Sequence, residues 1–140
     1  MEISGTHKFA ASRQQVWDAL HNPSVLQKSI PGIESIAWQG ESAITASVHL
    51  GIGPISGSYG GTVQVAEHTA PGHLRLVINR NVIQADASVD LADDGAGSVA
   101  TYSGSAKLSG PLSVLDNPIG KQAANGLLGQ FFKNLDQNIG

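Results

Sequence analysis

The sequence predicts an α+β fold: a curved, seven-stranded antiparallel sheet, two short helices after its first strand, and a long C-terminal helix covering the concave face. Three observations lead there. Strand-like stretches alternate apolar and polar side chains, and the links between the last six are short, as in an antiparallel meander. Two brief helical signals separate the first strand from those six. A final segment, about 111–138, switches to helical spacing. A bent sheet cannot leave an apolar concave face in water, and only this last segment is long enough to cover it.

In the first strand, about 2–10, Ile3, Gly5, His7 and Phe9 share one face and Glu2, Ser4, Thr6 and Lys8 the other. Ser12 followed by Gln15 is a capping-box pattern opening a helix through about His21, with Val16, Trp17 and Leu20 as its apolar side. Asn22-Pro23 supplies N-cap and first helical position for a second short helix ending near Ser29, and Pro31-Gly32 turns the chain into the sheet. The next two strands, about 33–39 and 43–51, are joined at Gly40-Glu41. The fourth, about 55–67, carries Tyr59-Gly60-Gly61 at its centre, where glycine invites a bend or bulge. Ala70-Pro71-Gly72 leads to a strand at about 73–79, another follows at 82–91, and Asp93-Asp94-Gly95 turns into the last, about 98–108. In the tail Leu112, Leu115, Ile119, Ala123, Leu127, Phe131, Leu135 and Ile139 form a helical stripe, widened by Leu128 and Phe132. Pro118 breaks it, with Asn117 as cap, so the main helix is expected over about 118–137.

A chain of 140 residues is expected to form one domain, 1–140. It contains no run near the roughly 20 apolar residues of a membrane span. The opening MEISGTHKFAAS lacks a signal-peptide layout, so a cytoplasmic location is expected. The sequence has no cysteine, hence no disulfide, thiolate metal site or cysteine nucleophile. Net charge is −3 and no lysine or arginine cluster occurs, which sets nucleic-acid binding aside.

Side-chain size is the most informative chemical feature. The inward faces carry Gly5, Ala46, Gly57, Gly61, Ala85, Ala87, Gly104 and Ala106. Such residues either let a bulky helix approach closely or leave a ligand cavity. Tyr59 and Tyr102 lie on the same faces, where their hydroxyls would bond a ligand, each other or a backbone carbonyl. His7, on an otherwise apolar stripe, is either a base or ligand-orienting donor, or a satisfied core residue. Leu127 and Phe131 would bound the cavity, or leave part of the helix exposed to a membrane or protein partner. The histidines show no metal-ligand spacing, Asp86 and Asp90 alternate onto the solvent face, and no nucleophile elbow or phosphate loop occurs. No catalytic residues, metal or cofactor are therefore expected.

Met1-Glu2-Ile3-Ser4-Gly5, Val16-Trp17-Asp18-Ala19-Leu20, Asn22-Pro23-Ser24-Val25-Leu26 and Ile30-Pro31-Gly32-Ile33-Glu34-Ser35 resemble the G-subunit family of carbon monoxide dehydrogenase. So do Gly53-Pro54-Ile55 with the strand through Gly61, and Gly126 with Phe131-Phe132 near the end. The resemblance spans essentially the whole chain. It implies the START/Bet v 1-like (SRPBCC) helix-grip superfamily and a bacterial protein with a cavity for a hydrophobic or amphipathic molecule, lipid or quinone-like. It also implies association with molybdenum-dependent carbon monoxide dehydrogenases and related hydroxylases, and with attaching them to the inner face of the cytoplasmic membrane. Many members carry a C-terminal apolar anchor that does not follow Gly140 here, which favours a soluble carrier or adaptor with at most peripheral membrane contact.

The leading expectation is thus a non-catalytic binding module. Tyr59, Tyr102, Ala87, Gly104, Leu127, Phe131 and His7 would form its pocket, and Ile30, Pro31 and Gly32 its entrance. The alternatives are a polyketide cyclase or aromatase-type enzyme using His7 and the tyrosines, and a purely structural adaptor with a filled core.

Overall fold

Alternation in β1 (Glu2–Phe9) sorts its side chains as the pattern requires: Glu2, Ser4, Thr6 and Lys8 are exposed, and Phe9 is buried. The computed structural model describes residues 1–52, 55–80 and 82–139; Gly53, Pro54, Asn81 and Gly140 lie outside the described residues. The chain then forms α1 (Arg13–Leu20) and α2 (Pro23–Ser29). Ser12 Oγ accepts from the Gln15 N–H while the Gln15 side chain accepts from the Ser12 N–H, completing the capping box. Asn22 caps α2 through the Ser24 and Val25 N–H groups.

Strands β2 (Ile33–Gln39), β3 (Ala43–Ile52), β4 (Ile55–Thr69), β5 (His73–Asn79), β6 (Ile83–Asp94) and β7 (Gly97–Leu108) follow. All pairings are antiparallel, in the order β1-β7-β6-β5-β4-β3-β2. Only the return of the last strand to the first departs from a meander. The β4–β5 ladder runs from Thr69–His73 to Gln64–Val77, with a bulge between Val65 and Glu67. Among the described residues, the N-terminal half of β4 pairs on its β3 side alone. The sheet therefore opens between β4 and the far end of β5.

The helical tail divides at Pro118, as its missing N–H dictates. A 3-10 turn (Gly110–Leu115) precedes α3 (Pro118–Asn138), whose N-cap Asn117 accepts from the Gly120 N–H at 2.9 Å. Helix α3 packs chiefly against α2 and β1. Its Phe132 and Leu135 are buried with Val16 and Trp17 of α1 and with Phe9 and Ala100 of the sheet. The core thus lies under the β1–β7–β6 half of the concave face.

The convex face carries an ionic ladder. His73 places Nδ1 2.7 Å from Asp90 and Nε2 2.7 Å from Glu67, and Arg75 makes a two-pronged contact with Asp86. Carboxylates only accept, so both His73 nitrogens carry hydrogen when both bonds form. These bonds, Glu67 first and Asp90 second, raise the His73 pKa above its ordinary 6.5. The raised pKa means that any stabilisation from the protonated ring is complete below about pH 6.5 and is lost as pH rises through the folded-state value. His73 is expected to titrate above the ordinary histidine range by NMR, and Glu67→Gln or Asp90→Asn to bring it down. A His73 midpoint at the ordinary value in the wild-type chain would contradict the ladder. Chemical shift is the proper readout, because solvent-screened pairs contribute little to stability.

Candidate functional site

Away from the core, the other half of the concave face holds a cavity of about 450 Å³. Its walls follow from strand parity. Ala46, Val48 and Leu50 of β3 stand beside Tyr59, Gly61 and Val63 of β4, in the register Val48–Tyr59 and Ala46–Gly61. Ile78, Arg80, Val82 and Ile83 form the opposite wall across the opening in the sheet, and Leu112 of the 3-10 turn closes one side. Among the described residues, no carboxylate lines it. The polar side chains that strand parity turns toward it are the Tyr59 hydroxyl and the Arg80 guanidinium.

Of the residues singled out in the sequence, Tyr59 lines this cavity. Tyr102 instead folds over Gly5 and stacks on Phe132, with ring centroids 4.9 Å apart at 16°. Ala87 and Gly104 face each other across β6 and β7, where a Cβ added to Gly104 would lie 2.9 Å from that of Ala87. Gly104 borders a separate recess with Ile3, Lys121 and Asn125. Phe131 packs on Phe132, centroids 5.0 Å apart, and Leu127 is 36% exposed; neither lines the cavity. The physical reason is the landing of α3 toward β1 and α2, which leaves β3 and β4 to the 3-10 turn.

His7 lies 3.2 Å from Asp136 of α3 and edge-on to Phe9, within the packed half of the molecule. The Ile30-Pro31-Gly32 turn braces the cavity wall from outside its lining. Gly32 has φ +75°, and its carbonyl accepts from the His49 N–H at 2.7 Å, between Val48 and Leu50. A side chain at Gly32 would run into the His49 carbonyl.

Three features escaped the sequence reading. Arg80 is in phase with the inward stripe Leu74, Leu76 and Ile78, a signal that was available. Asn125 Oδ1 is buried with no hydrogen-bond partner, the one such side-chain atom among the described residues. His21 and His68 meet Nε2 to Nε2 at 2.8 Å, between Trp17 and Trp38. His21 Nδ1 lies 2.7 Å from the Trp17 carbonyl and must donate to it. In a neutral pair His21 Nε2 therefore accepts, and His68 Nε2 donates. This cluster pins α1 to β2 and β4. No group of three or more His, Asp or Glu side chains among the described residues is placed to hold a metal ion.

Known proteins share this architecture. The family model for the carbon monoxide dehydrogenase G-subunit (CoxG) matches residues 5–140. The chain belongs to the CoxG family. A conserved protein from Geobacillus kaustophilus resembles this CoxG-family chain at 25% identity and a TM-score of 0.88, over 99% of this chain and 95% of that one. A START superfamily protein from Mycobacterium smegmatis aligns at 14% identity and TM-score 0.77, over 99% and 96%. An AHSA1-like protein from Aeromonas hydrophila aligns at 16% identity and TM-score 0.71, over 99% and 92%. The last two establish the helix-grip fold. No curated protein matches the CoxG-family sequence. No helix among its described residues is long and apolar enough to cross a membrane.

Proposed function

We propose that this chain is a non-catalytic carrier that holds a hydrophobic or amphipathic small molecule in the β3–β6 cavity. It acts as an accessory to a molybdenum-dependent, carbon monoxide dehydrogenase-like enzyme, in its assembly or its recruitment to the inner face of the bacterial cytoplasmic membrane. The observation that carries the reading is the apolar cavity itself. Its roughly 450 Å³ falls within the range of about 300–1,000 Å³ usual for small-molecule sites, and the side chains turned into it are aliphatic except at Tyr59 and Arg80. Family membership supports the accessory role. The described lining residues include no carboxylate or histidine, which favours binding over the cyclase or aromatase alternative, since that chemistry needs converging acid–base groups. Tyr59 is the predicted pocket residue that this proposal retains at the ligand; Gly32, with Ile30 and Pro31, holds the wall in place.

Two measurements test the reading. Native mass spectrometry of freshly purified protein should reveal a stoichiometric apolar adduct, with lipids and quinones as comparison compounds. Ala46→Phe, which fills the cavity floor, should weaken binding of the neutral apolar dye N-phenyl-1-naphthylamine by about tenfold or more, about 1.4 kcal/mol, while circular dichroism stays unchanged. Unaltered affinity in a folded variant would move the ligand elsewhere. An adaptor reading draws on a different observation, the exposed Ile119 (77%) and Val114 (48%) around the start of α3. It gains if the protein is empty, takes up nothing from a lipid and quinone panel, and co-purifies with a partner through those residues.

A further inference from the structure

The carrier proposal leaves the polar end of the ligand undefined, and Arg80 supplies a definition. The chain has three arginines. Arg13 meets Asp93, and Arg75 meets Asp86 and Glu67. Arg80 makes no ion pair or side-chain hydrogen bond among the described residues, although its own backbone is fixed by an N–H bond to the Ile83 carbonyl at 2.9 Å. Its side chain does not extend freely into water. It lies across the bare Cα of Gly61, so that a Cβ added there would fall 2.9 Å from the guanidinium carbon. Gly61 is itself part of the cavity wall, beside Ala46, Val63 and Ile78. An uncompensated cation is thus held over an aliphatic pocket, at the point where β4 parts from β5.

We propose that this site selects an amphipathic anion, its apolar chain in the cavity and its carboxylate or phosphate head on the Arg80 guanidinium. The inference rests on the cavity being the ligand site. The chemistry is specific. A guanidinium offers a planar fork of donors that matches either head group in a two-pronged bond. Its position at the exposed rim lets the head remain partly hydrated, avoiding the cost of burying an ion in full. A neutral head can accept a hydrogen bond from the guanidinium but brings no counter-charge, and so gains less from it. Gly61 is then a positioning residue, its missing side chain making room for the guanidinium to lie flat against the strand.

The test is calorimetric titration of the full, delipidated chain with a matched set: dodecanoate, dodecyl phosphate and dodecanol, with acetate and inorganic phosphate as heads without tails. One of the two acids should bind at least about tenfold more tightly than the alcohol, as expected of a charge-assisted bond. The tighter of them names the head group. Arg80→Gln should erase that ratio while leaving the affinity for dodecanol unchanged. Gly61→Ala, which displaces the guanidinium without removing it, should lower the ratio and leave the fold intact, because the displaced atoms end a flexible side chain. Tight binding of acetate or inorganic phosphate would overturn the amphipathic assignment. Equal binding of acids and alcohol, or an Arg80→Gln loss that strikes all three alike, would overturn the role of Arg80 while the carrier reading stands. If neither these ligands nor the neutral dye bind, the cavity reading fails and this inference with it.

Discussion

Phe132→Ala is expected to destabilise the protein by about 3–5 kcal/mol, the cost of removing a large aromatic side chain from a closed core. Phe132 is 2% exposed, and its ring meets Tyr102 face-on at 4.9 Å, Phe9 edge-on at 6.3 Å and Phe131 edge-on at 5.0 Å. It joins α3 to both β1 and β7 in one contact set. Its neighbours come from three different elements and cannot collapse together into the space, which sets the loss toward the upper part of the range. Urea unfolding should show the midpoint falling sharply with an unchanged slope, and thermal unfolding should drop by about 10 °C or more. Leu127→Ala, on the same helix but 36% exposed, should change stability by less than about 0.5 kcal/mol. A loss below about 1 kcal/mol for Phe132→Ala would mean that α3 is not held as described.

The contrast between Phe132 and Leu127 also shows where sequence reading reached its limit. Period-two alternation and two local caps were enough for the strands and short helices, because those signals act over a few residues. The apolar stripe of α3 was legible too, but it was too wide to show which part of it turns inward. That choice depends on the helix landing against α2 and β1, a long-range outcome. The same landing moves the cavity away from Phe131 and toward Val48 and Tyr59. His21 and His68 are 47 residues apart, and their contact requires the curvature of the whole sheet. The small residues on the inner face divide between the two meanings that the sequence left open. Ala46 borders empty space, whereas Gly5 receives the ring of Tyr102 and Gly61 the guanidinium of Arg80.

That last pair allows the close-packing meaning to be tested alone. Gly5 and Tyr102 are directly opposed in the β1–β7 ladder, and a Cβ on Gly5 would stand 2.6 Å from the Tyr102 ring carbon that bears the hydroxyl. Such a separation is far inside van der Waals contact, so Tyr102 must swing away and give up its stacking on Phe132. Gly5→Ala should therefore cost about 1–3 kcal/mol, the usual range for overpacking, even though alanine is ordinarily the better strand residue by about 0.5–1 kcal/mol. In a Tyr102→Ala background the obstruction is gone, and the same change should be neutral or slightly stabilising. Tyr102→Phe should rescue only in part, since the ring carbon stays where the hydroxyl is lost. The resulting double-mutant cycle should show a coupling of about 1–3 kcal/mol between two positions nearly a hundred residues apart in sequence. Additive losses would refute the ring-over-glycine contact. They would place the cost of Gly5→Ala in β1 itself, and would free Tyr102 to serve the ligand instead.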